Sequence, residues 1–84
     1  MITIDFTTEI KEIIHEYVVD KYGDKYLYDQ SKNLHSYDDL PAIITTIGTK
    51  VWYKHGLPHR DNDLPAYIGS TGIKEYWVDG KRIK

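Results

Sequence analysis

His55 and His59 stand four residues apart, with Asp61 and Asp63 close behind. On a helix that spacing would turn two imidazoles toward one metal ion. Gly56 and Pro58 interrupt the segment, so it reads as a link between strands and the spacing loses that meaning. No metal is expected. Hydrolytic chemistry fares no better: cysteine is absent, and no serine sits in a G-x-S-x-G elbow. The carboxylate pairs Asp38/Asp39 and Asp61/Asp63 lie at turn positions, where aspartate caps its own backbone. The glycines at 69 and 72 enclose no phosphate loop, because the lysine and the strand–loop–helix setting are missing. The chain therefore reads as non-enzymatic, with no cofactor.

What remains is the chemistry of recognition. Eight tyrosines, two tryptophans and one phenylalanine are a rich aromatic supply for 84 residues, and aromatics are enriched at protein-binding surfaces. Strand alternation would put Val51, Tyr53, Ile73 and Trp77 on one sheet face. Trp52 and Tyr76 would lie on the other, beside Lys50, Lys54 and Lys74. Trp52, Tyr76, Lys54 and Lys74 are thus the expected partner contacts. Arg60 joins them, either facing a partner or paired locally with Asp61 or Asp63. Glu12 and Glu16 complete the set, as part of an acidic ridge with Glu9 and Asp20.

These residues need elements to hold them. Ile10, Ile13, Ile14, Tyr17 and Val18 follow a helical spacing. Thr7 or Thr8 can cap that helix, acidic residues suit its start, and Gly23 can stop it. The pattern predicts an amphipathic helix over about 8–21, after a short strand at 2–6. The first residues reach acidic side chains at once, which is unlike a signal peptide. No apolar run approaches the roughly 20 residues of a membrane span. Residues 1–42 carry nine acidic against four basic side chains, and residues 43–84 four against seven. That mild asymmetry lacks the concentrated basic patch of a dedicated nucleic-acid binder.

Downstream of the helix the chain repeats itself. Residues 33–56 and 57–80 align at an offset of 24, sharing His35/His59, Asp39/Asp63, the block Leu-Pro-Ala at 40–42 and 64–66, Ile44/Ile68, Gly48/Gly72, Lys50/Lys74 and Gly56/Gly80. Trp52/Tyr76 and Tyr53/Trp77 exchange aromatic for aromatic. Residues 23–32 look like a degenerate earlier copy, and 81–84 like the start of another. Each copy has hairpin grammar. A β-branched strand at 42–46 or 66–69 meets a glycine turn, then an aromatic strand at 50–54 or 73–78. His55-Gly56 and Asp79-Gly80 suit two-residue type I′ turns.

The stretch Trp52 to Ala66, WYKHGLPHRDNDLPA, with Gly72 and the Tyr76–Gly80 segment beyond it, resembles the MORN-type repeat. It is most similar to the W-x-x-G-x-x-H-R-x-D-x-P-A variant of bacteriophage and large-virus proteins. The resemblance covers about 23–84. It implies hairpins joined into one elongated sheet, a scaffold with no catalytic residues, and a phage or viral origin. Ser36 replaces Arg60 in the preceding copy, which would leave the arginine's role to occur once.

The combined expectation is a single α+β domain over 1–84, with the amphipathic helix packed on a meandering antiparallel sheet of β-hairpin repeats. The helix would cover the Val51/Tyr53/Ile73/Trp77 face, leaving Trp52 and Tyr76 at least partly exposed. The expected function is a small protein-binding module in the cytoplasm (the host's, if phage-encoded), where the resemblance and its context suggest an inhibitor of a host enzyme or defence complex. The alternatives are nucleic-acid binding by the aromatic and lysine residues, and self-assembly as a homodimer or larger structure.

Overall fold

The computed structural model describes residues 15–84, and among them every regular element is a short antiparallel strand. The strands are β1 Val18–Val19, β2 Lys25–Tyr26, β3 Ile43–Ile44, β4 Lys50–Val51, β5 Tyr53–Lys54, β6 Leu57–Pro58, β7 Tyr67–Ile68, β8 Lys74–Glu75, β9 Trp77–Val78 and β10 Lys81–Arg82. Six of them form one sheet in the order β1-β2-β3-β4-β7-β8, while β5–β6 and β9–β10 are separate hairpins.

The α+β expectation is therefore corrected to all-β for this region. Val18 and Val19, assigned by their spacing to the helix, pair instead with Tyr26 and Lys25 at the sheet edge. Tyr17, from the same supposed stripe, donates its hydroxyl to the Pro41 carbonyl at 2.8 Å. Two adjacent β-branched residues beside an open strand edge gain ladder hydrogen bonds that a helix end cannot offer. Residues 8–14 of the predicted helix and the predicted strand at 2–6 lie outside the described residues. No helix among the described residues is long and apolar enough to cross a membrane.

Turn chemistry accounts for the strand spacing. At 20–24, 45–49 and 69–73 the same pair of backbone bonds closes a three-residue loop ending in Gly23, Gly48 or Gly72. Each of these glycines has φ above +90°, the αL position that such a loop requires. His55-Gly56 and Asp79-Gly80 have positive φ at both residues, as the type I′ connection demands. The equivalent loop in the first unit is one residue longer: Asp29 and Asn33 flank Gln30, Ser31 and Lys32, and Lys32 takes φ +68°. That extra residue explains why the offset is 25 between Leu27 and Trp52 but 24 between His35 and His59.

The core is thin. Among the described residues Leu27, Ala42, Trp52 and Ala66 are its buried apolar members, and they sit where the strands bend out of the sheet. Leu27 donates its amide to Ala42, and Trp52 donates to Ala66. Tyr76 occupies the next place in this row and is half-buried. The expected exposure of Trp52 is thus overturned: it is 5 % exposed. The physical reason is the small Ala42 and Ala66 at the bend, which leave volume for one large ring.

Candidate functional site

Three clusters of side chains deserve weighing as a site. The first lies over the buried row. The Arg60 guanidinium sits 3.8 Å from the Trp52 ring centroid, and its Nε and Nη2 each donate to the Asp39 carboxylate at 3.0 Å. Its Nη1 donates to the Pro65 carbonyl. The Trp52 indole N–H donates to the Asp39 carbonyl at 2.9 Å. The guanidinium holds the Asp39 carboxyl below its ordinary value, an effect opposed by partial desolvation. Arg60 is therefore an internal clamp. Its carboxylate partner is Asp39, not Asp61 or Asp63, because the turns at 38–39 and 62–63 hold consecutive residues at positive φ and aim each loop back at its neighbour.

The same arrangement recurs at the offset of 24. Lys84 Nζ lies 4.7 Å from the Tyr76 ring and 3.1 Å from Asp63. The cation's role is thus not confined to Arg60. Lys81–Arg82 pairs with Trp77–Val78 as Leu57–Pro58 pairs with Tyr53–Lys54, so 81–84 does begin a further copy. Extending the alignment by Arg60/Lys84 alongside Asp39/Asp63 would have exposed this relation in the sequence.

The second cluster holds histidines. His35 and His59 each accept, at Nδ1, the amide of the residue that opens the type I′ turn, His55 and Asp79 respectively. Their repeated role is to fasten the closing turn of their own copy through its amide. His59 also donates Nε2–H to Asp61 at 2.8 Å. His55 Nδ1 meets Asp29 at 2.6 Å, and this hydrogen bond, with that of the Asn33 amide, holds the Asp29 carboxyl down to about 2. His35 stacks on His55 with centroids 4.0 Å apart, and Tyr37 stacks on His15 at 3.5 Å.

Asp29, His35 and His55 offer three ligating atoms within 4.8 Å of one another. Two features argue against a preformed metal centre. The two rings are inclined by only 25°, so their in-plane lone pairs run nearly side by side and do not converge on one point. His35 Nδ1 is already an acceptor, and His55 Nδ1 is already bonded to Asp29. A tetrahedral ion with Zn–N near about 2.1 Å would require both imidazoles to turn.

The third cluster lies on the large sheet. Register places Val18, Tyr26, Ile43, Val51, Tyr67 and Glu75 on one face of the large sheet. Beside the β4, β7 and β8 end of that row, Val51, Tyr53, Pro58, Tyr67, Glu75 and Trp77 line an open hollow of about 200 Å³. All six are only half-buried. Tyr67 lies flat enough that a Cβ on Gly69 would stand 3.2 Å from its hydroxyl. The Tyr67–Gly69 combination replaces Ile43–Thr45 of the preceding copy, and the hollow lies across the two copies, with Val51 and Tyr53 from one and the other four residues from the next. The face expected to be covered by a helix is thus the open aromatic face in the described region.

The other sheet face carries Val19, Lys25, Ile44, Lys50, Ile68 and Lys74 in register, an alternation of apolar and basic side chains. The predicted contacts are accordingly scattered. Trp52 is buried and Arg60 is clamped to Asp39. Tyr76 is half-covered beneath Lys84, and Lys54 lies 3.9 Å from Asp79. Lys74 is exposed on the basic row and Glu16 is exposed before β1, while Glu12 lies outside the described residues. Comparison with protein-family models, curated proteins and solved structures gives no match for this chain.

Proposed function

We propose that the chain is a small, non-catalytic protein-binding module whose contact surface is the open aromatic face around Tyr53, Tyr67 and Trp77. The observation that carries this reading is the half-exposed state of three large aromatics around one hollow, where the buried apolar residues among those described are Leu27, Ala42, Trp52 and Ala66. Rigid Tyr and Trp side chains on a sheet bury large area at low entropic cost, which makes them frequent anchors of protein interfaces. The polar clusters support the same reading, since the clamps and histidines spend their hydrogen bonds inside the fold.

The test is a tagged pull-down from a bacterial lysate with mass spectrometry. Wild type is compared with a Trp77→Ala/Tyr53→Ala variant whose far-UV circular dichroism shows it folded. Retention of one protein by the wild type alone supports the reading. Equal retention by the folded variant, or no specific retention, sinks it.

A second reading rests on the Lys25, Lys50 and Lys74 row. Next-nearest strands stand about 10 Å apart, so the row presents three regularly spaced ammonium groups to a polyanion such as a nucleic acid. Steep loss of oligonucleotide binding as salt rises, and its abolition in a triple Lys→Gln variant, would favour this reading over the first.

A further inference from the structure

The hollow differs from a purely apolar groove in one respect: a carboxylate stands in its wall. Glu75 lines it together with Tyr53, Tyr67 and Trp77. Its Oε1 accepts the Trp77 indole N–H at 2.9 Å, which fixes both side chains. Among the described residues the second carboxylate oxygen, Oε2, has a loose neighbour in Arg82 Nη1 at 3.8 Å. Arg82 is exposed and stands opposite Trp77 in the β9–β10 register. It does not line the hollow.

We infer that this hollow is a cation-recognition site, which takes the ammonium or guanidinium head group of a lysine or arginine presented by a protein partner. The inference rests on the binding-module reading and names the chemistry of its central contact. Aromatic rings attract a cation through the negative potential of their faces, and a carboxylate adds a charge-assisted partner in the same small volume. An uncharged apolar anchor would gain nothing from Glu75 and would cost that carboxylate part of its hydration. The volume of about 200 Å³ admits one such head group. The 3.8 Å Arg82 contact is too long for a hydrogen bond, so Arg82 acts as a displaceable competitor at the rim. Its removal strengthens the site. Glu75 lies on β8 and Trp77 on β9, on either side of the buried row, and neither belongs to the core, so the site can be altered without unfolding the domain.

The experiment uses the whole chain and two small probes of nearly equal shape: choline, which is cationic, and 3,3-dimethylbutan-1-ol, which is neutral. Binding is followed by the NMR shift of the Trp77 indole N–H, assigned by its loss in Trp77→Phe. The expected result is a saturable shift with choline and none with the alcohol. Glu75→Gln, which keeps an acceptor for the indole, should weaken choline roughly tenfold, and Arg82→Gln should strengthen it about threefold. Equal response to both probes overturns the inference, as does no response to choline or an unchanged Glu75→Gln. If choline fails while Trp77→Ala/Tyr53→Ala still abolishes capture of a protein, the cation inference falls and the binding-module reading stands. If choline binds and no protein is captured, the hollow takes a cation but not one presented by a protein, and the inference falls with the module reading.

Discussion

Trp52 and Trp77 sit in adjacent columns of the repeat, and their surroundings are opposed. Trp52 is closed in at the bend between Ala42 and Ala66, which are fully buried. Its indole N–H bonds a main-chain carbonyl, and Arg60 covers its ring. Trp77 is half-exposed, bonds a side-chain carboxylate that is itself accessible, and borders the hollow. In the copy that buries tryptophan the outer aromatic is Tyr53. In the copy that exposes tryptophan the inner aromatic is Tyr76. A repeat can thus keep its aromatic pair while moving the larger ring from the core to the surface.

The strongest way to break this comparison is to truncate both rings. Trp52→Ala removes the largest buried side chain of a thin core and is expected to cost about 3–5 kcal/mol, enough to leave a domain of this size largely unfolded at 25 °C. Trp77→Ala is expected to cost no more than about 1 kcal/mol. Urea unfolding followed by far-UV circular dichroism measures both. Equal losses would show that the two positions are not divided in this way.

The clamps sharpen the contrast at a smaller scale. Arg60→Ala removes a stacked, doubly bonded guanidinium and should lower stability by about 1–2 kcal/mol. Lys84→Ala removes an exposed counterpart and should change it by less than about 0.5 kcal/mol. The same unfolding midpoints decide the order.

A pH series tests the histidine fastening of the turn at 55–56. Burial lowers the His35 pKa from its ordinary 6.5, and His55, His15 and Lys54 push it the same way against the opposing pull of Asp29. A lowered folded pKa means that the unfolded chain takes up the proton more readily. Stability from this group is therefore complete above about pH 6.5 and is lost as pH falls below it. The urea midpoint of the wild type should drop between pH 7.5 and 5, and His35→Gln should flatten that drop. An unchanged slope would remove His35 from the account. The smallest effect expected is at Lys74→Ala, which should leave stability unchanged within about 0.5 kcal/mol.

How much of this was legible beforehand depends on the distance over which each feature is decided. The glycine turns and the two-residue connections could be read from residue type alone, since Gly48, Gly72, Asp79-Gly80 and His55-Gly56 answer to local φ preferences. The repeating hairpins followed from the offset. The helix was misread at its C-terminal end because Tyr17 and Val18 satisfy a helical period, while the competing β2 edge lies several residues away and is reached only through the turn at 20–24. Arg60 was matched to its nearest aspartates, when the partner is 21 residues back in the preceding loop.

By itself, the sequence determined the hairpin units and their turns, because these rest on local backbone preference. Which aromatic became core, which became surface, and whether a carboxylate would stand among the exposed rings were settled only when the strands bent at Ala42 and Ala66. Along a straight strand Trp52 and Tyr53 would differ merely by side. At a bend, one side is closed by the next unit's loop and the other is left open, and burial free energy acts on that difference.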